Sequence, residues 1–599
     1  MNFAVSVFKF FDILRRIILN LIFWGIVLAI GAVLIKNSIV SSVVPAESTL
    51  ILSPTGFIVE HTPSNAADFI SGSDTRKDTA LREVIAVLNA AATDSNISSV
   101  FLDLRRFEGS SLSKLQEIAI AIKRVRDVGK PVIAFSDTYS QGRYYLASHA
   151  ENIVVDPLGG MMFRGVGSFQ NYYGQGLSKL GIKVDVFRAG EYKSAVEPYI
   201  YDRMSDAARR ASAEYLEDLW DQYLAVIIEE RHMTRADIDK YISNYAAILE
   251  KHKGDAAVAA KENNLVDIIA VYRDAIALAG SEKYIDWKDY YKIIKRKEKP
   301  AGDKVAVVIA SGTIVPGRQP PGTIGASTYA AILEEIKNDT RVVAVVLRID
   351  SGGGGVGASE TIRRGLQDIR DEGKPVIVSM SSMAASGAYW ISTASDSIFS
   401  MPATLTGSIG VFGMFPDISE FLEKYPGITT DGYGTTKFSG FLRPDMGLTE
   451  DMKMVLTMNI ENYYNMFLNF ISSSRNIPLT EIGNIADGRV WSGNAAMSRK
   501  LVDTIGTLED AIDRAALQSG VADYSIHYYE PKENLRTVIS RGLIGMAASG
   551  KKTIGERFYD LIFDTLPSSS ERKSNLDMIF GNIFNESQAL YLGPEYIFR

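Results

Sequence analysis

The chain has 599 residues, of which 46% are apolar and 23% charged. This length exceeds that of one compact domain and this composition is that of a folded globular protein, so a disordered or fibrous chain is excluded. A net charge of −7 offers no basic surplus for a nucleic-acid partner, and the absence of cysteine excludes disulfides, thiol nucleophiles and thiolate-bound metals.

The first predicted element is a membrane anchor. Residues 17–35 form an apolar run close to the ~20 residues that a spanning helix requires, with Asn20 as its one strongly polar side chain. Arg15 and Arg16 precede the run, so residues 1–16 are expected to stay in the cytoplasm. A cleaved signal peptide is the alternative, but the run is longer than a signal-peptide core and no A-x-A cleavage site follows. We therefore predict a single-pass protein of the inner (plasma) membrane with its large part on the extracytoplasmic side.

An internal repeat organises the rest of the chain. Residues 129–167 match residues 373–412 after one inserted residue, which gives a period of about 245 residues. A period of this length is too long for a solenoid and indicates duplication of a whole domain. The predicted segments are a cytoplasmic N-terminus (1–16), the anchor (17–35), a first domain (45–285), a charged linker (286–304), a second domain (305–525) and a C-terminal tail of no assigned role (526–599).

Each copy alternates short β-branched runs with helical segments. In the second copy, residues 342–349 and 374–380 are predicted strands, and residues 359–373 form an amphipathic helix between them. Residues 385–395 are predicted as a second helix that packs through small side chains. This alternation predicts an α/β domain with right-handed crossovers and a largely parallel sheet.

A glycine-rich segment follows the predicted strand at 342–349. Asp350 and Ser351 precede four consecutive glycines, Gly352–Gly355. Such a run favours a backbone conformation or a close approach that a side chain would forbid. Exposed N–H groups at this point could stabilise an oxyanion, and a tight turn is the alternative. The Walker A and Rossmann spacings are absent.

One serine lies between glycines just after a predicted strand of the second copy. This residue is Ser408, in the sequence LTGSIG, and the first copy has Phe163 at the equivalent position. If Ser408 is a nucleophile, only the second copy performs the reaction. A serine that serves only the turn is the alternative, since the motif is not the G-x-S-x-G of hydrolases.

Histidine is too scarce to supply an obvious base. The chain has five histidines and none of them lies between residues 253 and 526, so the second copy lacks one. Lysine can act as a base when burial lowers its pKa towards neutrality. Lys193 and Lys437 stand at equivalent positions of the two copies and are both candidates, against the ordinary expectation of a solvated surface lysine.

Together, the apolar N-terminal run, the repeat, LTGSIGVFG, RIDSGGGGV and EYKSAVEP resemble the signal peptide peptidase A (protease IV) family in its long two-domain form, over most of residues 45–520. The resemblance implies duplicated crotonase/ClpP-like domains and a serine endopeptidase with a Ser–Lys dyad that degrades cleaved signal peptides and other hydrophobic peptides. It also implies a homo-oligomer, a tetramer in the family, and no metal or organic cofactor. In this sequence Ser408 matches the nucleophile, Lys193 the base and Gly354 an oxyanion donor, with the Ile409 N–H as second donor by analogy with ClpP-like sites.

Two departures from the family pattern leave alternatives open. Gly352 replaces the family's proline, which should loosen the oxyanion loop. Lys437 occupies the place where short single-domain relatives keep their base, although the flank of Lys193 is the closer match. A crotonase-type CoA enzyme would share the fold, but the anchor and the lack of an obvious basic phosphate-binding patch argue against it. A non-catalytic membrane scaffold that binds peptides is the remaining alternative.

Overall fold

The computed structural model describes residues 43–62, 77–297, 302–483 and 485–531, together with Arg16, Asn20 and Trp24. Apart from Asn20 and Trp24, the anchor predicted over residues 17–35 lies outside the described residues. In the part of the chain that is described, none of the helices combines the length and apolar character that a membrane crossing requires.

The first unit extends from residue 43 to residue 297. Its strands are β1 (Ser48–Leu52), β2 (Gly56–Val59), β3 (Thr79–Ala80), β4 (Ile97–Asp103), β5 (Phe107–Gly109), β6 (Val132–Ser136), β7 (Asn152–Val155), β8 (Lys183–Ala189), β9 (Ile268–Ile269) and β10 (Tyr284–Asp286). Its helices are α1 (Leu81–Thr93), α2 (Leu112–Asp127), α3 (Gln141–Ser148), α4 (Gly174–Lys179), α5 (Glu197–Ile200), α6 (Asp206–Arg231), α7 (Arg235–Ser243), α8 (Tyr245–Lys251), α9 (Ala256–Glu262), α10 (Tyr272–Ala277) and α11 (Trp287–Lys297). A 3₁₀ turn covers Ser194–Val196.

The second unit begins at residue 302 and ends at residue 531. Its strands are β11 (Asp303–Ser311), β12 (Thr313–Val315), β13 (Thr323–Gly325), β14 (Val342–Ser351), β15 (Val376–Ala385), β16 (Ser397–Ser400), β17 (Leu405–Gly407), β18 (Val411–Asp417), β19 (Val490–Ser492), β20 (Thr504–Ile505) and β21 (Tyr524–Tyr529). Its helices are α12 (Ala326–Asn338), α13 (Val356–Asp371), α14 (Gly387–Ser392), α15 (Ser419–Lys424), α16 (Glu450–Arg475), α17 (Leu479–Ile482), α18 (Gly493–Ser498) and α19 (Leu508–Ser519).

The two units have main sheets of the same topology. In the first, the order is β10-β1-β4-β6-β7-β9, and every neighbouring pair is parallel. In the second, β21-β11-β14-β15-β16-β20 repeats this order, again with parallel pairs only. The second sheet also carries β17 on the far end of β15, with β19 antiparallel to it. The predicted α/β class and the duplication are therefore confirmed.

Burial explains why these segments form the sheets. Nine of the ten residues of β14 are buried, as expected for a strand covered on both faces. The helix α13 buries Ile362, Leu366 and Ile369 on one side, and the spacing of four and three residues places them along one helical stripe. The core of the second unit is thus formed where these amphipathic helices cover the parallel strands.

The boundaries of the units differ from the predicted ones at two places. Residues 286–304 were expected to be a linker, but α11 packs against the first unit and buries Trp287, Tyr290 and Ile293 in its core. Lys292, Lys295 and Arg296 of this helix are exposed, which explains the linker-like composition. The predicted tail also begins too early, because residues 526–529 continue β21 beside β11. Residues 532–599 lie outside the described residues.

The two units are interlocked by strand pairing and by buried charges. The strand β8 of the first unit pairs antiparallel with β18 of the second over seven residues. Arg348 in β14 is fully buried and binds two carboxylates of the first unit, Glu60 and Glu117, with Nη2–Oε1 distances of 2.9 and 2.5 Å. Lys114 of α2 donates to Asp350 at 2.8 Å, and both side chains are almost inaccessible to solvent. Groups at the end of β14 are therefore held by residues from the other unit.

Candidate active site

A strained serine lies at the end of β15. Ser386 has φ 54° and ψ −117°, between the last residue of the strand and the first residue of α14. A positive φ is rare for a residue other than glycine and costs on the order of 1–3 kcal/mol. A sharp strand-to-helix turn of this kind exposes the hydroxyl of a nucleophile in α/β hydrolases. Strain at this position makes Ser386 a candidate nucleophile on geometry alone.

The predicted nucleophile, Ser408, lies beside Ser386. The strand β17 pairs with the end of β15, with Gly407 opposite Ala385, and the Ser386 N–H donates to the Gly407 carbonyl at 2.8 Å. Ser408 follows β17 and also has a positive φ, of 51°. The pairing of β15 with β17 therefore brings two serine hydroxyls to one point.

Lys193 of the first unit reaches both serines. Its Nζ lies 2.9 Å from Ser386 Oγ, 2.9 Å from Ser408 Oγ and 2.8 Å from the Ser408 carbonyl oxygen. Lys193 follows β8, and β8 is fixed to β18 of the second unit just beyond Ser408. The cross-unit pair of strands thus delivers a lysine of the first unit to serines of the second.

The electrostatics of Lys193 suit a base. The residue is only 4% exposed, and burial lowers its pKa from 10.5 to about 7. Its three hydrogen-bond partners are uncharged oxygens. Since desolvation disfavours the ammonium and no carboxylate among these partners offsets that effect, a large fraction of Lys193 is neutral near pH 7.

The glycine-rich segment lies against Ser386. A Cβ placed on Gly353 would come within 2.8 Å of both the Ser386 Cβ and the Gly387 N, and one placed on Gly387 would lie 3.1 Å from the Gly354 N. Within the described part of the chain, no hydrogen bond occupies the N–H of Gly354 or of Gly387. These two N–H groups beside one hydroxyl have the arrangement of an oxyanion hole.

The remaining predicted residues lie elsewhere. The Lys437 side chain is 65% exposed and pairs with Asp451 at 2.6 Å, and it contacts neither serine. Ile409 follows Ser408, and its side chain is buried in the core of the second unit. The structure thus brings together Ser408, Lys193 and the glycine segment that contains Gly354, but not Lys437.

Sequence reasoning missed Ser386. Its neighbours, Ala384, Ala385 and Gly387, are small and suggested a tightly packed helix over residues 385–395, whereas the helix begins at Gly387. The signal that could have found it is the repeat, because Gln141 stands in its place in the first copy. There the Gln141 side chain bonds the backbone at Arg164 and Gly165 instead of facing a lysine.

Comparison with known proteins identifies the family of the chain. The model of peptidase family S49 matches residues 124–286 and 368–522. The chain belongs to peptidase family S49. It is 33% identical over 551 residues to Protease 4 of Salmonella typhi, a match that covers 89% of this chain and 88% of that protein. It is 26% identical over 440 residues to the chloroplastic serine protease SPPA of Arabidopsis thaliana, covering 72% and 64% of the two chains.

Among solved structures, a mutant ClpP1 from Listeria monocytogenes is similar over 34% of this chain and 94% of its own, with 16% identity and a TM-score of 0.24. The two S49 matches fall on the two units, one in each copy of the repeat. The family predicted from the sequence and the enzyme class, a serine protease, are both confirmed by these comparisons.

Proposed function

We propose that this S49 peptidase is a serine endopeptidase in which Ser386 is the nucleophile and Lys193 the general base. One observation carries the proposal: a buried lysine, with a pKa of about 7, lies 2.9 Å from a serine hydroxyl on a strained strand-to-helix turn. A neutral amine at this distance can accept the hydroxyl proton as the oxygen attacks.

The proposed reaction uses only groups of this chain. Ser386 Oγ attacks the peptide carbonyl while Lys193 takes the proton, and the resulting tetrahedral oxyanion binds the N–H groups of Gly354 and Gly387. Lys193 then gives the proton to the leaving amine, which leaves an acyl-enzyme that water hydrolyses by the same route. Ser408 holds Lys193 through its hydroxyl and its carbonyl oxygen, and so fixes the direction of the Lys193 amine.

The sequence favoured Ser408 as the nucleophile and the Ile409 N–H as an oxyanion donor, and both remain untested predictions. The contact of the glycine segment with Ser386 and Gly387 favours Ser386 instead.

The Ser386→Ala and Ser408→Ala variants distinguish the two assignments. The purified protein is labelled with a fluorophosphonate, the labelled peptide is identified by mass spectrometry, and hydrolysis of a hydrophobic peptide is measured. We expect the label on Ser386, loss of turnover by several orders of magnitude in Ser386→Ala, and residual turnover in Ser408→Ala. Label on Ser408, retained by Ser386→Ala, would overturn the assignment and restore the prediction made from the sequence.

We propose cleaved signal peptides and other hydrophobic peptides as substrates, as the resemblance of the sequence implies. We propose that both domains have the crotonase/ClpP-like fold. A CoA enzyme or a non-catalytic peptide-binding scaffold of that fold would not require a neutral lysine hydrogen-bonded to a serine hydroxyl. Incubation with synthetic signal peptides and with soluble hydrophilic peptides of equal length tests the substrate class. Equal rates for both sets would contradict it.

We also propose that the chain is anchored in the inner membrane by residues 17–35, with both units on the extracytoplasmic side, and that it forms a homo-oligomer. The support is the apolar run preceded by Arg15 and Arg16. A reporter fused after Arg599 should behave as exported, and a cytoplasmic signal would contradict this topology. Native mass spectrometry in detergent should give a mass of more than one copy of the chain. A mass of four copies would match the tetramer that the family resemblance implies.

A further inference from the structure

A short loop of the second unit lies between the backbone segment that carries Lys193 and the one that carries Ser408. This loop, Asp487–Gly488–Arg489, lies between α17 and β19, far from β8 and from Ser408 in the chain. It has no part in the chemistry proposed above. It nevertheless contacts both the backbone that carries Lys193 and the backbone that carries Ser408, which indicates a role in holding Lys193 in place.

On one side, the loop binds the backbone that carries Lys193. The Asp487 carboxylate accepts the Glu191 N–H at 2.7 Å, and the Asp487 carbonyl accepts the Tyr192 N–H at 2.9 Å. These are the two residues immediately before Lys193. The direction in which the lysine leaves its loop is therefore set by Asp487.

On the other side, the loop binds the backbone that carries Ser408. The Ser408 N–H donates to the Arg489 carbonyl at 2.6 Å, and the Gly488 N–H donates to the Ile409 carbonyl at 2.8 Å. Three consecutive residues thus connect the segment that carries Lys193 to the segment that carries Ser408.

The backbone of the loop has an unusual conformation and packs closely against the Lys193 backbone. Asp487 has φ 59° and Gly488 has φ 84°, two successive left-handed residues. A Cβ on Gly488 would lie 2.5 Å from the Lys193 backbone N. Gly488 is therefore glycine because the Lys193 backbone passes directly over it.

The Arg489 side chain packs against Tyr192, the residue that precedes Lys193. Its guanidinium lies 3.8 Å from the centre of the Tyr192 ring, and Nη2 donates to the Tyr192 hydroxyl at 2.5 Å. It also lies 3.6 Å from the Glu214 carboxylate of α6. Planar stacking combined with a hydrogen bond is a geometry that arginine provides and lysine does not.

We infer that the Asp487–Gly488–Arg489 loop is a positioning element that sets the distance of Lys193 from the two serines and keeps water from its amine. The inference rests on the proposed role of Lys193 as base. Asp487 and Arg489 touch no reacting atom and act through the Lys193 segment alone.

The consequence concerns the ionisation of the lysine. Among the described residues, the titratable or charged groups of the loop and its surroundings are Asp487, Arg489, Glu191, Tyr192, Tyr464, Glu214 and Arg499. The Lys193 amine bonds Ser386 and Ser408 instead of these groups. Burial is what lowers the pKa of Lys193. Loosening the loop admits water to the amine and raises that pKa towards 10.5, so the activity at pH 7 falls while the activity at higher pH is retained.

The test compares two substitutions of Asp487 in the full-length protein. Asp487→Gly removes the carboxylate without left-handed strain, whereas Asp487→Asn keeps an oxygen acceptor for the Glu191 N–H and tolerates the same φ. The control is Asp339→Gly, which also removes a carboxylate bound to a backbone N–H, that of Arg341. Asp339 precedes β14, whose length of about 30 Å separates it from the site.

For each variant, kcat and KM for a hydrophobic peptide are measured from pH 6 to pH 10. We expect Asp487→Gly to lose about fivefold in kcat/KM at pH 7, for a rise of about one pH unit in the acidic midpoint from about 7, and to approach wild type above pH 9. The loss should appear in kcat with KM nearly unchanged. Asp487→Asn and Asp339→Gly should retain the wild-type midpoint. A further variant, Gly488→Ala, should move the midpoint in the same direction.

An unchanged midpoint in both Asp487→Gly and Gly488→Ala would overturn the inference, as would a loss of equal size at every pH. Lys193→Met separates this failure from failure of the proposed function. If Lys193→Met keeps its turnover, the proposed base is wrong. If Lys193→Met is inactive while the loop variants keep the wild-type profile, only the positioning role is wrong.

Discussion

Replacing Lys193 by methionine should abolish turnover and at the same time stabilise the protein, by an amount that depends on pH. Methionine keeps most of the aliphatic length of lysine and removes the amine. In the unfolded chain the lysine titrates near 10.5, whereas in the folded protein burial lowers its pKa to about 7. Below pH 7 the folded protein must therefore hold the Lys193 ammonium in a site without water. In the unfolded chain the same ammonium is solvated, at no cost in free energy.

The magnitude follows from the two pKa values. The interval from about 7 to 10.5, at about 1.4 kcal/mol for each pH unit, corresponds to a penalty of about 5 kcal/mol at acidic pH. Between the two values the unfolded state binds more protons, so the stability contributed by Lys193 rises with pH. Half of the folded molecules are already neutral near pH 7, and the penalty falls by roughly 2 kcal/mol between pH 7 and pH 9.

Urea unfolding followed by tryptophan fluorescence measures the difference. The free energies of unfolding of wild type and Lys193→Met are compared at pH 7 and pH 9, so that the pH effects of all other groups cancel. The variant should gain stability relative to wild type, and the gain should shrink by roughly 2 kcal/mol at the higher pH. Hydrogen bonds lost from Ser386 and Ser408 reduce the gain equally at both values. A gain independent of pH, or one that grows with pH, would refute the argument that burial keeps Lys193 neutral.

Three further predictions concern groups around the site. Lys437→Met removes an exposed ion pair of a kind worth at most about 1 kcal/mol, so kcat/KM should stay within about twofold of wild type, and a tenfold loss would revive Lys437 as the base. Lys114→Met leaves the buried Asp350 carboxylate uncompensated and should lower the free energy of unfolding by about 3–5 kcal/mol, whereas adding Asp350→Asn should recover most of it in the same urea assay. Gly354→Ala places a methyl group against the Ile314 carbonyl and displaces the proposed oxyanion donor, so kcat should fall about 10²–10³-fold with the peptide KM little changed; a normal kcat would exclude Gly354 from that role.

The α/β architecture could be predicted from the sequence because the patterns that indicate strands and helices are local. Buried β-branched runs and amphipathic helices alternate in both copies, and the repeat shows that one arrangement occurs twice. The end of β15 was harder to predict. The predicted strand stops at residue 380, whereas β15 continues to Ala385 through serine and alanine residues with little preference for strand structure. This extension is stabilised by partners distant in the chain, such as Ser111, which bonds Ser382.

The candidate site could be predicted only in part for the same reason. The repeat singled out Ser408 and the two lysines, of which Lys193 lies beside two serine hydroxyls and Lys437 pairs with Asp451. The preference for Lys193 rested on the closer match of its flank to the family, and Val196 and Pro198 of that flank are buried. Ser386 was missed because its strained φ exists only once β15, β17 and the glycine segment meet. Backbone strain of this kind has no signature in composition or periodicity.

The proposed division of the site between the two copies would also determine when during synthesis the enzyme becomes active. The ribosome makes the segment containing Lys193 long before Ser386, and the contact from Asp487 to Glu191 spans 296 residues. Units of a long chain fold in order as they emerge. If the proposed dyad is correct, a nascent chain whose first unit has folded carries a base with no nucleophile, and it should stay inert until residue 489 has been made. A truncated product that ends between the two copies would likewise hold the proposed base without the proposed nucleophile, and so would be unable to cleave other chains.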